Sequence, residues 1–190
     1  MSRVGKKPID IPAGISVEVN GSCVSTKGPK GELKYELPLC VAVQIQDNQI
    51  LLSANDESTD PQKIALWGLS RALIANNIKG VKEGYTEALL LVGTGYRAQA
   101  SKLPNGLFKI DFTLGLSHPL DYIAPEGISI ECPTATEIVI SGVCKQAVGQ
   151  AAADVCNIGH GVRKREPYKG KGINYKNRKQ RPLKEAKKKK

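Results

Sequence analysis

The hydrophobic period of this chain changes twice from two residues to about 3.6, each time after a run of strand-like segments. A sheet-then-helix order that recurs within 190 residues leaves few architectures open. In the first half, Pro12 to Val19 alternates apolar and polar residues and reaches Asn20-Gly21, a dipeptide suited to a tight hairpin turn, with Cys23 to Lys27 as the return strand. Gly28-Pro29-Lys30-Gly31 predicts a second turn and Glu32 to Leu37 a further strand. Val41 to Ile45 and Gln49 to Ser53 form another pair across Gln46-Asp47-Asn48. Together these segments read as an antiparallel meander.

The first change of period falls at Asp60-Pro61. A carboxylate at the N-cap precedes a proline at the first helical position, where its missing N–H costs nothing. The spacing predicts a helix to about Lys79, with Gly80 beyond its end. Ile64, Trp67, Arg71, Ile74 and Ile78 share one side, and Leu66, Leu69 and Leu73 widen the apolar stripe. Trp67, the single tryptophan, reads as an anchor packed on the sheet.

The strand pattern resumes at Glu87 and runs through Gly95-Tyr96-Arg97-Ala98. It turns at Pro104-Asn105-Gly106, returns from Leu107 to Leu114 and continues past His118-Pro119. Pro125 to Cys132 then repeats Pro12 to Val19 at Pro, Gly, Ile, Ser and Glu, with Ile138 to Ile140 as its return strand. Cys144 to about Asn157 is the second helix, with Val148, Ala151, Ala152 and Val155 on one stripe. The expected fold class is therefore α+β: two similar tandem domains, each an antiparallel sheet covered by one helix, plus a basic C-terminal tail. The expected boundaries are 1–82, 83–175 and 176–190, with the join near Val81 to Gly84.

Composition matters here through its distribution. Residues 160–190 hold 14 Lys and Arg against Glu166 and Glu185, a balance of +12, whereas the first 159 residues carry −2. A nearly neutral globule with a cationic limb is the layout of a chain that touches a polyanion. The five cysteines, at 23, 40, 132, 144 and 156, are odd in number and lack a C-x-x-C pair, so they read as reduced, buried apolar side chains. With two histidines there is little to complete a metal site, and neither a metal nor a cofactor is expected. The N-terminus has no apolar h-region after its basic residues, and no apolar run is long enough to span a bilayer. The expectation is a soluble chain with no membrane partner.

Within the cationic limb, Tyr168-Lys169-Gly170-Lys171-Gly172 sets two lysines each before a glycine, and Tyr175 closes the stretch. Glycines open positive φ, letting backbone N–H groups and flanking ammonium groups converge on a phosphate. Tyrosine rings flanking them suit ribose or an unpaired base, which favours RNA over duplex DNA. Two other motifs carry less. Gly93-Thr94-Gly95-Tyr96-Arg97-Ala98 satisfies G-x-G-x-x-A after an apolar strand, yet Pro104-Asn105-Gly106 leaves no room for the helix that a dinucleotide site needs. There the glycines read as a bulge or close approach, with Tyr96 and Arg97 projecting toward a partner or a neighbouring strand. Ser117, His118 and Asp121 fall within five positions of one loop and do not assemble a triad. His160, between two glycines, reads as linker.

From Glu166 to Tyr175, Glu-Pro-Tyr-Lys-Gly-Lys-Gly-Ile-x-Tyr resembles the C-terminal signature of the bacterial-type large-subunit ribosomal protein L-six family. The resemblance extends to Pro12-Ala13-Gly14, Gly31-Glu32-Leu33, Val92 to Ala98, Ser117-His118-Pro119 and Ala152-Ala153-Asp154. It implies two related α+β domains and a non-enzymatic, structural role in the large subunit. The C-terminal part is then expected to bind large-subunit ribosomal RNA near the sarcin-ricin loop, with neighbouring ribosomal proteins and docking translational GTPases close by. The implied RNA contacts are Tyr168, Lys169, Gly170, Lys171, Gly172 and Tyr175, with Arg97 as a lesser one. Three departures stand out: Arg165 replaces the usual proline, Asn174 the usual arginine, and the link from Asp154 to Glu166 is longer. Arg163, Lys164 and Arg165 are expected to compensate for the arginine absent at 174. A free-standing RNA-binding or assembly module is the alternative function, and a nucleotide-dependent oxidoreductase survives only through the Gly93 motif. The ribosome in question would be cytoplasmic, or plastid or mitochondrial.

Overall fold

A computed structural model describes residues 3–46, 48–54, 60–116, 118–158 and 168–178. The chain divides into two compact units, 1–84 with 143–145, and 85–142 with 146–190.

In the first unit the strands are β1 (Ile9–Asp10), β2 (Ser16–Asn20), β3 (Cys23–Gly28), β4 (Gly31–Glu36), β5 (Val41–Gln46) and β6 (Gln49–Ala54), followed by helix α1 (Pro61–Glu83). The three hairpins form where the turn residues place them. Asn20 pairs with Cys23, so Gly21 and Ser22 make the first loop, with Gly21 at φ 61° as a type II′ turn requires at its first central residue. Gly28 pairs with Gly31 and Gln46 with Gln49. The single meander expected from the alternation is in fact two antiparallel sheets, ordered β2-β3-β4 and β1-β6-β5. The short β1 escapes a reading based on alternation because two residues show no period. It pairs with β6, Ile9 opposite Ile50, and so completes a sheet that β5 and β6 began.

Helix α1 packs on strands of both sheets. It starts as expected: the Asp60 carboxylate accepts the Gln62 backbone N–H at 3.2 Å. It ends four residues later than expected, because Gly80 and Val81 are buried and the chain has no reason to leave the helix there. Gly84, at φ 79°, closes it and donates its N–H to the Gly80 carbonyl. Trp67 anchors the core with Val24, Val41, Ile50, Ile74 and Ile78, and its Nε1 donates to the Leu52 carbonyl at 3.1 Å. Leu66 and Leu69 correct the stripe, for both are exposed, Leu69 by 51%. A helix lying across two sheets buries the Trp67-Ile74-Ile78 line and leaves its flank in water. Arg71, placed on the stripe by spacing, instead donates to the backbone carbonyls of Lys7 and Pro8.

In the second unit the strands are β7 (Tyr85–Val92), β8 (Arg97–Lys102), β9 (Phe108–Thr113), β10 (Leu120–Ile123), β11 (Ile128–Thr134) and β12 (Glu137–Gly142). Helix α2 (Lys145–Ile158) and a last strand, β13 (Gly172–Tyr175), follow. The sheets are β10-β9-β8 and β11-β12-β7-β13. The core gathers Leu89, Ile110, Phe112, Ile130, Ile138 and Ile140 from the strands with Val148, Ala151, Ala152 and Val155 from α2.

Element by element the units have one topology. β7 takes the place of β1, β8-β9-β10 that of β2-β3-β4, β11-β12 that of β5-β6, and α2 that of α1, with the same antiparallel neighbours throughout. The duplicated order is thus real, and among the described residues each unit has two sheets and one helix. The eight-residue match that suggested it is not part of it: Pro12 to Val19 leads through β2, whereas Pro125 to Cys132 lies on β11, the counterpart of β5. Among the described residues no helix is long and apolar enough to cross a membrane.

Candidate nucleic-acid interface

The Lys-Gly-Lys-Gly stretch is the entrance to β13, an edge strand of the second unit. Its alternation explains why it folds so. Ile173 and Tyr175 point to the core side, Ile173 buried and Tyr175 half-buried against the cluster, while Gly172 and Asn174 occupy the other face. β13 pairs antiparallel with β7, Gly172 opposite Val92 and Tyr175 opposite Leu89. That register sets the Tyr168–Lys171 loop and the Gly93–Tyr96 turn at the same end of the sheet, since β13 begins where β7 finishes.

Asn174 is only 7% exposed although polar. Its Nδ2 donates to the Gly170 carbonyl at 3.1 Å and the Gly172 carbonyl at 3.5 Å. Gly170 is buried at φ 70°, a conformation that a side chain would strain. Around this pin Tyr168, Lys169 and Lys171 are exposed, Tyr168 by 54%. Among the described residues neither lysine has an ion pair.

The other end of the strand is electrically closed. Lys176 Nζ lies 2.6 Å from Glu137 Oε1, and the Lys176 N–H donates to the Ala88 carbonyl. Arg178 Nη2 lies 3.1 Å from Glu87 Oε1, and its guanidinium covers the Tyr175 ring at 3.8 Å from the centre. Residues 176–178, expected to open the tail, therefore belong to the folded unit. Tyr175 in turn sits by Cys156: burial, then the neighbouring thiol, raises the phenol, and burial pushes the thiol up to about 11 despite its hydrogen bond to Tyr175.

Arg97 opens β8 in the other sheet and is exposed. It stands just after the Gly93–Tyr96 turn and so flanks the same end as Lys171. Tyr96 does not project outward. It is half-buried against its own core, its ring so near Gly93 that a Cβ there would lie 2.7 Å from the ring. That close approach, with no helix following, accounts for the G-x-G-x-x-A motif. Arg163, Lys164 and Arg165, with His160, lie outside the described residues. So does Ser117, while Asp121 is held 3.4 Å from Lys109 and His118 is exposed.

Among the described residues no catalytic cast replaces these. A cleft of about 440 Å³ between β8 and β11 carries Asp111 and Cys132, but Asp111 is paired with Lys109 at 2.9 Å and burial raises the Cys132 thiol. Among the described residues no group of three or more His, Cys, Asp or Glu could hold a metal. No disulfide joins the five cysteines, and against the expectation that all are buried only Cys156 is. Cys23, Cys40, Cys132 and Cys144 are half-buried: Cys23 opens β3, Cys40 stands just before β5, Cys132 lies on the edge strand β11 and Cys144 just before α2. Missing from the sequence reading were β13, the Asn174 pin and the anchoring carboxylates Glu87 and Glu137; the apolar alternation at Ile173 and Tyr175 was the available signal for the strand.

The chain matches the family described as Ribosomal protein L6 over residues 11–84 and 92–176. It is 48% identical over 189 residues to the large ribosomal subunit protein uL6 of Thioalkalivibrio sulfidiphilus, covering 100% of both chains. It is 46% identical over 175 residues to that of Nitrosospira multiformis, covering 92% of this chain and 93% of the relative. The uL6 of Xanthomonas axonopodis pv. citri is 47% identical over the same shares.

Proposed function

This chain belongs to the ribosomal protein L6 family, and from that premise we propose that it is a non-catalytic constituent of the large ribosomal subunit in the cytoplasm. It binds large-subunit ribosomal RNA near the sarcin-ricin loop, beside the docking site of translational GTPases and against neighbouring ribosomal proteins. The observation that carries the RNA contact is the asymmetry of β13. Its Lys176 and Arg178 end is neutralised by Glu137 and Glu87, while Lys169 and Lys171 stand exposed at the other end with Tyr168.

Lys169, Lys171 and Arg97 neutralise phosphates, and Arg163, Lys164 and Arg165 extend the same charge along the chain. Tyr168 supplies the aromatic face. Gly170 and Gly172 give the loop the backbone freedom to turn its lysines toward the RNA, and Tyr175 backs the surface from the core side beneath Arg178. Specificity comes from RNA shape read by rigid units, since loop lysines carry little sequence information.

The test is crosslinking in intact particles with the RNA position read out, after a high-salt wash. Retention on large subunits with crosslinks from 168–171 to the sarcin-ricin region supports the proposal. Release by the wash, or crosslinks elsewhere on the RNA, would overturn the respective part of it.

A further inference from the structure

We propose that Asn174 is a positioning residue for RNA binding: it sets the shape in which the Lys169–Lys171 loop meets phosphate, without touching RNA itself. The inference rests on the reading that this loop binds ribosomal RNA. Three observations support it. Asn174 is buried although it lies on the strand face opposite Ile173 and Tyr175, and its amide is spent on carbonyls of the loop and its entry into the strand. Only its NH₂ can face two carbonyls, so the amide orientation is fixed by the Gly170 and Gly172 oxygens it bonds. The peptides are trans, so holding the Gly170 carbonyl inward directs the Lys171 N–H, across the same peptide plane, away from Asn174. An outward N–H beside two exposed lysine side chains offers an anion a backbone donor along with two charges. Without the pin, Gly170 and Gly172 leave the loop free to sample many shapes, and binding must then order it.

The contrast with Lys169 and Lys171 is in what each loss does. Removing a lysine removes a phosphate partner and a released counterion, which flattens the salt dependence. Removing the Asn174 amide removes one buried hydrogen-bonding group and keeps every charge. Its loss should weaken binding about tenfold at all salt concentrations with the slope unchanged. The effect should also vanish once the loop has no lysines to position, a coupling that general destabilisation would not produce.

The experiment uses full-length protein and deproteinised large-subunit ribosomal RNA. Asn174→Ala and Asn174→Leu, which keeps the branching at Cγ but has no polar atom, are measured by salt titration, each alone and combined with Lys169→Ala and Lys171→Ala, with thermal melts alongside. The expected result is about tenfold weaker binding for the single variants, a parallel salt line, and no further loss in the combined variants. Equal losses in both backgrounds, no loss at all, or losses that merely follow a collapse of the melting transition in both variants would overturn the positioning role. If the double lysine variant itself binds as the natural sequence does, the RNA reading of the loop fails instead, and the two failures are told apart by that control.

Discussion

The guanidinium carbon of Arg178 lies 3.8 Å from the centre of the Tyr175 ring while its Nη2 reaches Glu87 at 3.1 Å. One cation thus closes β13 onto β7 and takes one face of a tyrosine that sequence alone offers to RNA. Arg178→Ala should lower stability by about 1 kcal/mol, from a partly exposed cation–π contact and a surface ion pair. Urea unfolding checks it, and Glu87→Gln should reproduce the part of the loss that fades in high salt. No change in either variant would mean that the strand holds itself by backbone pairing and Ile173.

The two tyrosines should separate. Tyr168 is exposed by 54% and should, as Ala, weaken RNA binding with little change in melting or in salt slope, because stacking releases no counterion. Tyr175→Ala should instead lower the melting temperature, since its ring packs on the core cluster and carries Arg178. Filter binding and thermal melts on both variants decide it. The opposite pattern would assign the RNA-facing ring to Tyr175.

Lys169→Ala with Lys171→Ala should reduce the log–log salt slope by roughly 1.5, about 0.7 to 0.9 for each phosphate that is no longer neutralised. Stability should change by roughly half a kcal/mol or less, as both are exposed and outside the cores. An unchanged slope would leave the loop a solvated surface.

Local chemistry was legible wherever it acts through neighbours in sequence. Asn20-Gly21, Gly28-Pro29-Lys30-Gly31 and Asp60-Pro61 each fix backbone angles or satisfy a backbone group within four residues, and each stands where the sequence places it. What was not legible depends on partners far along the chain. Ile9 is a strand residue only because Ile50 is opposite, Leu66 and Leu69 are exposed only because two sheets meet the other side of α1, and Gly80 stays helical because the core needs Val81. The candidate site divides in the same way. Exposed lysines and glycines were visible as a pattern, but a strand of four residues forms only by pairing with β7. Its supporting carboxylates, Glu87 and Glu137, stand 91 and 39 residues before the cations they hold.

Trp67 should be the costliest single truncation in the first unit. Its ring is only 8% exposed, packs so close to Gly5 that a Cβ there would lie 2.6 Å from it, and spends its N–H on Leu52. Trp67→Ala loses that burial, leaves the Leu52 carbonyl without its donor and should cost about 3 to 5 kcal/mol. Trp67→Phe keeps most of the area but drops the hydrogen bond, so it should fall well short of that loss. Chemical denaturation monitored by circular dichroism measures both, and equal losses would mean that the carbonyl contact, not the ring volume, holds the helix to β6.

Among the cysteines, one differs from the other four in depth, and thiol chemistry should report it. Burial pushes Cys156 up to about 11, so its thiolate is scarce at neutral pH and the group should react slowly until the unit opens. Cys23, Cys40 and Cys144 are half-buried, as is Cys132, whose thiol burial also raises, and these four should label before Cys156 in a timed alkylation read by mass spectrometry. The same shift predicts a direction for stability. A thiol whose folded pKa exceeds the unfolded value keeps its proton longer in the native state, so between the unfolded pKa of about 8.5 and about 11 the native protein binds more protons than the unfolded one. Its contribution is fully present below that window and declines as pH rises through it. Cys156→Ala should therefore flatten the loss of stability between pH 9 and 11, leaving Tyr175, Tyr122 and Cys132, all raised by burial, among the remaining sources of slope there. If denaturation curves of the natural sequence and the variant kept the same alkaline slope, the buried thiol would not be the group that titrates with unfolding.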